Sequence, residues 1–488
     1  MSFNQKTGIE KLKTPAFIAL LFIGLAFSAY YISRSEIKTA MTMVALPFVI
    51  YYLFSLIQNP SISIITFVVV AFFIPAISRY ITTESKLGMS VDALLVLSYI
   101  VLILNGKLIK QKFKLIKIDL LIITIFWFIY TLFQLFNPYT AYYQAWFYAV
   151  RPISIYLLLA LPLASMLIVN NRYLIIILVL WGSFSILGTI KGTLQLYVGL
   201  DPYEQMWFNS VGYLTHFVNN KLRVFSFYTE AGQFGAAQAH AAVVGFIMAT
   251  AVRKKSLRIF FIIMSISGFY GMMISGTRGA VFVPYAAALA YVFLKKNFKA
   301  AMIVVFFTVL AFVFLKYTHI GSSYYFIYRM RTAFDPNDAS LQVRFENQRL
   351  FKEYLKDKPF GGGIGSAGYW GQKFSPGSPL ARLATDSWYV QIWAETGIVG
   401  LAIYVLMLIY VMGKSSYLIL YKVKHPVVNQ QMIALLSGLA GVAVASYGNN
   451  VIGQLPTSFL CYFSIALLFG SQELDKEMFD KEKELKNT

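Results

Sequence analysis

Long apolar runs separated by short polar connections organise this chain. The runs reach the roughly 20 residues a helix needs to cross a bilayer core, and they lack the short alternating segments of a membrane β-barrel. Fourteen helical segments follow from the pattern, at residues 15–32, 39–57, 61–78, 88–104, 116–136, 149–168, 173–198, 230–251, 257–275, 278–295, 299–316, 387–412, 430–447 and 455–471. Merging the weaker third and fourth would lower the count, so about 12 to 14 spans are expected. The pattern predicts an all-α integral membrane protein.

Two connections break the compact rhythm, residues 199–229 and the far longer 317–386. A connection of that length inside a compact protein is usually functional. The expected organisation is therefore residues 1–198 as seven N-terminal spans, 199–316 as a core, 317–386 as a large outer loop, 387–471 as the last three spans, and 472–488 as a charged tail.

Composition agrees, with 58% hydrophobic and 13% charged residues, which is incompatible with an ordinary soluble domain. Lysines and arginines outnumber acids by 42 to 21, and their placement sets the orientation. Lys6, Lys11 and Lys13 precede the first span; Lys107, Lys110, Lys112, Lys114 and Lys117 crowd one connection; Arg253, Lys254, Lys255 and Arg258 another; Lys295, Lys296 and Lys299 a third. With Lys414, Lys422 and Lys424, all fall on one side if fourteen spans are real, which puts both termini in the cytoplasm. The positive charge is thus topological, and no aromatic-interleaved basic groove indicates a nucleic-acid partner. The flanks of the first segment resemble a secretory signal, from Lys11 and Lys13 to the small residues near Ala26, Ser28 and Ala29. The many later spans need no removable leader, so it is read as retained. The lone Cys461 excludes an intrachain disulfide framework. His216, His240, His319 and His425 have no acidic ligand cluster beside them, so neither a metal site nor a cofactor is expected.

The same threading places Arg151, Arg223, Arg278 and Arg344 on the outer face, where basic residues are rarest. Within the long loop, SLQVRFENQRLFKEYLKDKPF reads as an amphipathic helix carrying Phe345, Leu350, Tyr354 and Leu355. It runs into GGGIGSAGYWGQKFSPGSP, a glycine-rich turn. An interfacial helix feeding a flexible flap would suit a lipid-borne substrate. An amphipathic cover over helix ends is the other reading.

These strings resemble a known family. SGTRGA at 275–280 opens a helix, KPFGGGIGSAGYW ends an arginine-led one, and TDSWYVQIWAETGIVGL at 385–401 closes the loop into the next span. In that order, with RVFSFYTEAGQFGAAQA at 223–239, they are similar to the O-antigen ligase and Wzy polymerase superfamily of bacterial surface polysaccharide assembly. The resemblance covers about residues 200–410. It implies a GT-C-like enzyme of the bacterial inner membrane, with the long loop on the outer face. Such an enzyme takes a glycan from undecaprenyl pyrophosphate, joins it to an acceptor hydroxyl and releases the lipid pyrophosphate.

Guanidinium groups suit that leaving group because they stay charged and bind phosphate oxygens as a fork. By resemblance, Arg223 and Arg278 are the leading pyrophosphate ligands, followed by Arg344, with Arg151 a further candidate. Ion pairs or headgroup contacts are the alternatives for Arg223 and Arg278. Arg344 could pair with Glu346, Glu353 or Asp357, and Arg151 could reach lipid headgroups. Ligase-type members carry a histidine where this chain has Asp386, which looks more like the polymerase branch. Asp386 could be a general base, orient the acceptor, hold an arginine, or cap its helix with Ser387 beside it. Glu230 is read as positioning Arg223, and Glu395 as a buried hydrogen-bonding group.

GAAQAHAAVVG and GAVFVPYAAALAY are small-residue faces expected at the bundle centre, with His240 packed inside the first. Tyr142, Tyr143, Trp146, Tyr369, Trp370, Trp388 and Tyr389 read as an interfacial belt. The expectation is a Wzy-like polymerase joining undecaprenyl-pyrophosphate-linked repeat units of an O-antigen, capsule or exopolysaccharide. Its partners would be lipid-linked donor and acceptor, the bilayer, a chain-length regulator and a flippase. The alternatives are an O-antigen ligase acting on lipid A core or protein and, from another class, a lipid-linked oligosaccharide flippase. A flippase should line a central cavity with charge, whereas the unusual charges here gather beside one loop.

Overall fold

The computed structural model describes residues 8–34, 36–80, 88–106, 112–140, 142–168, 170–218, 221–296 and 298–487. Lys6, Lys107, Lys110 and Thr488 lie outside them. The chain forms two compact units, residues 1–63 with 96–110, and residues 64–95 with 111–488. In the first, α1 (Gly8–Ser33) packs on α2 (Ile37–Gln58). Gly24 permits the approach, since a Cβ there would lie 2.8 Å from the Met43 carbonyl oxygen, and the Ser28 hydroxyl donates to Ala40 O at 2.6 Å. Phe48 and Val49 of α2 point outward, as lipid solvent favours.

Further helices include α3 (Ile62–Tyr80), α4 (Gly88–Leu104), α5 (Ile118–Phe133), α6 (Tyr143–Leu167), α7 (Asn171–Tyr197), α8 (Ala231–Ala251), α9 (Lys255–Ile274), α10 (Phe282–Lys295), α11 (Phe298–Tyr317), α12 (Tyr325–Arg331), α13 (Ala339–Tyr354), α14 (Trp388–Tyr417), α15 (Pro426–Ala445), α16 (Thr457–Phe469) and α17 (Ser471–Asn487). Two-residue strands, Phe217–Val218 and Lys221–Leu222, pair antiparallel in the smaller loop. Each segment expected from the hydrophobic pattern is occupied by a helix. Among the described residues, 10 helices are long and apolar enough to cross a membrane, and Ala19–Tyr31, Gly88–Leu104, Ala301–Tyr317 and Thr457–Phe469 are shorter apolar helices. The chain is an all-α, multi-pass membrane protein.

Small residues put α8 at the centre, with 89% of its apolar stretch buried. A Cβ on Gly268 of α9 would sit 2.7 Å from the Gln238 carbonyl, and one on Gly245 would sit 2.9 Å from that of Phe261, so glycine lets these two backbones touch. His240 is buried against Trp181 with ring centroids 4.6 Å apart, a packed polar residue. The second small-residue helix does not share this position. Only 28% of the α10 stretch is buried, because Phe282, Ala286 and Leu289 face a cavity. The aromatic belt divides as well. Tyr142, Tyr143 and Tyr369 are exposed, but Trp146 is buried and donates to Thr131 O at 3.0 Å, Trp388 is buried, and Tyr389 donates to Ala443 O at 2.8 Å.

The glycine-rich turn is pinned rather than flexible. Residues 361–367 are buried, and Phe351 of α13 and Leu355 just after it pack with Leu380, Val390 and Ala394 beside the turn. Phe345 and Leu350 are the exposed side of that helix, so the buried face turns about Phe351 instead. Helix α14 breaks at Gly397, where φ is 72°. The turn fills the break: Gly362 N donates to Ala394 O at 2.9 Å, and Val399 N to Pro359 O at 3.3 Å. Asn137, in the connection after α5, fastens it with its Nδ2 through the carbonyls of Phe360 and Gly361, at 3.0 and 3.2 Å.

The tail is a charged, largely exposed helix that ion pairs and backbone contacts dock on neighbouring connections. Helix α17 pairs Glu473 with Lys117, and Glu482 with both Arg253 and His425. Asp475 accepts the backbone N–H groups of Lys424 and His425 at 3.0 and 2.7 Å. Three connections, at Lys117, Arg253 and Lys424–His425, thus meet one helix.

Candidate active site

The opposite helix ends enclose a cavity of about 930 Å³. The start of α10, the helix α13, the entry to α14 and the end of α15 wall it. Arg278, Arg344 and Asp386 stand at these termini. Further along the same helices the lining turns apolar, through Phe282 and Leu289, Val405, Ile409 and Met412, and Val444.

Arg278 opens a single 3₁₀ turn after Thr277 and forms an ion pair with Asp338. Asp338 also accepts the Leu341 N–H at 3.0 Å, which starts α13. The Arg344 Nε lies 3.4 Å from Oδ2 of Asp386. Asp386 is 48% exposed, and the cap of α14 is its neighbour Ser387, whose Oγ accepts from Val390 N at 3.4 Å. Asp386 is therefore not that cap, and Arg344 takes Asp386 rather than Glu346, which pairs with Arg349.

Arg223 reaches the site from the smaller loop. Its Nη2 donates to the Thr277 hydroxyl at 3.2 Å, and that hydroxyl donates to Ala231 O at 2.8 Å, tying loop, α8 and the Arg278 turn together. Burial first, and then the nearby Arg329 and Arg278, bring the Arg223 guanidinium down to about 10 against the opposing pull of Glu230. Glu230 stands at the mouth of α8, its carboxyl raised by burial, lowered by Arg223 and raised again by Asp386. The carboxylates and guanidiniums thus form one electrostatic group.

Arg151 lies apart from it. The guanidinium pairs with Asp92 at 3.3 Å and sits over the rings of Phe147 and Tyr148, at 4.7 and 5.2 Å from their centroids. Glu395 is fully buried under the glycine-rich turn, facing the backbone of Gly365 and Ala367. Among the described residues, no group of His, Cys, Asp or Glu converges to hold a metal ion. Sequence reasoning missed Arg329 and Asp338. Arg329 sits on the same long loop as Arg344 and carries the same charge signal in the sequence; Asp338, in FDPNDAS, carries only a helix-cap signal.

Fold and site define a multi-pass membrane protein whose cavity joins a cationic mouth to an apolar wall. A family model described as O-antigen ligase matches residues 259–405. That segment, which contains Arg278, Arg329, Arg344 and Asp386, is therefore similar to the O-antigen ligase family. Arg223 and Glu230 precede the match. No curated protein matches the chain's sequence.

Proposed function

We propose that the protein is a glycosyltransferase that polymerises undecaprenyl-pyrophosphate-linked oligosaccharide repeat units at the outer face of the bacterial inner membrane. The observation that carries this reading is the two-part cavity: arginines and Asp386 at the helix ends, an apolar wall of α10, α14 and α15 beyond. A lipid diphosphate has the same two parts. In this reading all fourteen apolar helices cross the bilayer in a GT-C-like arrangement, both termini are cytoplasmic, and residues 317–386 form the extracytoplasmic loop.

The chemistry follows from the charges. The acceptor hydroxyl attacks the anomeric carbon of the donor, the bond from that carbon to the diphosphate oxygen breaks, and the electron pair leaves with the diphosphate. Asp386 receives the hydroxyl proton, and Arg344 keeps its carboxylate oriented toward the cavity. Arg278 and Arg223 stabilise charge that grows on the leaving group, where preorganised donors act most strongly. Glu230 positions Arg223, and Arg151 serves an ion pair with Asp92. No metal takes part. A chain-length regulator and a flippase are the expected partners.

The ligase reading is favoured by the description of the matching family, and the polymerase reading by Asp386 where ligase-type members resemble each other in a histidine. Protein in nanodiscs given only the lipid-linked repeat unit separates them. A ladder of product lengths means polymerisation. Transfer only after lipid A core is added means ligation, and transfer to neither revives transport.

A further inference from the structure

Arg278, Arg344 and Asp386 line the cavity, Asp338 pairs with Arg278, and Arg223, Arg329 and Glu230 couple to this group electrostatically, so four guanidiniums face three carboxylates. Arg278 is taken by Asp338 and Arg344 by Asp386. Arg329, on the short helix α12, is the excess cation. It is 8% exposed, no ion pair holds it among the described residues, and its Nε has no hydrogen-bond partner. Burial lowers its guanidinium, Arg278 lowers it further, and Asp338 gives only partial relief. A buried, unpaired charge costs several kcal/mol in general and persists where something compensates it.

Thr332 and Ala333, directly after α12, line the cavity, so the helix that carries Arg329 borders the space a ligand would fill. Once the sugar has been transferred, the lipid diphosphate exposes one more terminal oxygen than the two forks of Arg223 and Arg278 can hold. We propose that Arg329 is a third anion-binding guanidinium, which makes the site prefer a lipid diphosphate over a lipid monophosphate and seats the long loop on the bound headgroup. This rests on the functional reading above.

The test uses full-length protein in nanodiscs with farnesyl diphosphate and farnesyl monophosphate as probes, reading affinity by tryptophan fluorescence. The wild type should bind the diphosphate more tightly. Arg329→Ala should lose at least about tenfold in diphosphate affinity while monophosphate affinity stays within about twofold, as for loss of charge-assisted hydrogen bonds. Arg329→Lys, which keeps the charge without the fork, should fall between them and carries the test if the alanine variant does not fold. Unchanged diphosphate binding in Arg329→Ala, beside a loss in Arg278→Ala, would overturn the proposal and leave the functional reading standing. Equal loss of both probes would make Arg329 structural and also overturn it. A wild type that binds neither probe would sink the functional reading itself.

Discussion

Arg344 Nε stands 3.4 Å from Oδ2 of Asp386, joining the amphipathic helix of the long loop to the entry of α14. The pair is solvent-reachable from the cavity, so its worth lies in orientation more than in stability. Asp386→Asn keeps the shape and removes the proton acceptor. The expected result is a fall in kcat of about 10²- to 10⁴-fold with little change in donor affinity. Equal losses in kcat and in donor binding, measured by single-turnover kinetics, would reassign Asp386 to holding the donor.

Gly397 is the point at which α14 opens to admit the glycine-rich turn. A Cβ there would collide with Pro359 O, which is backbone and cannot swing aside, and φ of 72° is unfavourable for alanine. Gly397→Ala should cost about 1–3 kcal/mol and lower the apparent melting temperature. An unchanged melting curve would mean the break is not held by the turn.

His216 is packed between Trp207 and Phe225, with Nδ1 3.1 Å from Gly212 O. Burial lowers it from the ordinary 6.5 to about 4, the Gly212 carbonyl partly opposing and Arg223 and Arg79 adding to the shift. Between those values the unfolded chain binds the proton and the folded chain does not, so stability is full above pH 6.5 and declines as pH falls toward 4. His216→Gln should flatten that part of the melting-temperature profile. A profile identical to wild type would remove His216 as its cause.

Asp475 accepts two backbone N–H groups at the start of α15 and is nearly buried. Asp475→Ala should destabilise by about 1–3 kcal/mol, because buried donors lose their partner. Limited proteolysis should then release the tail helix faster. Wild-type protection would show that the docked tail does not depend on this contact.

The helices were legible because lipid solvent imposes one rule on length and polarity, which 10 helices among the described residues meet in full and four shorter apolar helices meet in polarity. The candidate site was legible in part: Arg278, Arg344 and Asp386 meet in one cavity although the last two are 42 positions apart. Their signal was charge in the wrong place. Arg329 carried that signal too, but it sits in FIYRMR, an aromatic and basic stretch resembling an interfacial anchor. Asp338 and the pinned turn were not legible, because a cap residue and a glycine run specify local geometry without saying what they pack against. The charged tail was legible as such, but not that Glu473 and Glu482 are spaced to meet Lys117, Arg253 and His425 on distant connections.

Release of undecaprenyl diphosphate, quantified by mass spectrometry against glycosidic bonds formed in nanodiscs, tests the transfer chemistry most directly. The wild type should release about one lipid diphosphate per bond, and Arg278→Ala, folded and inserted, should lose both together by at least about 10²-fold. Bond formation without lipid release, or wild-type release by Arg278→Ala, would contradict a transfer driven by arginine-stabilised departure of the diphosphate.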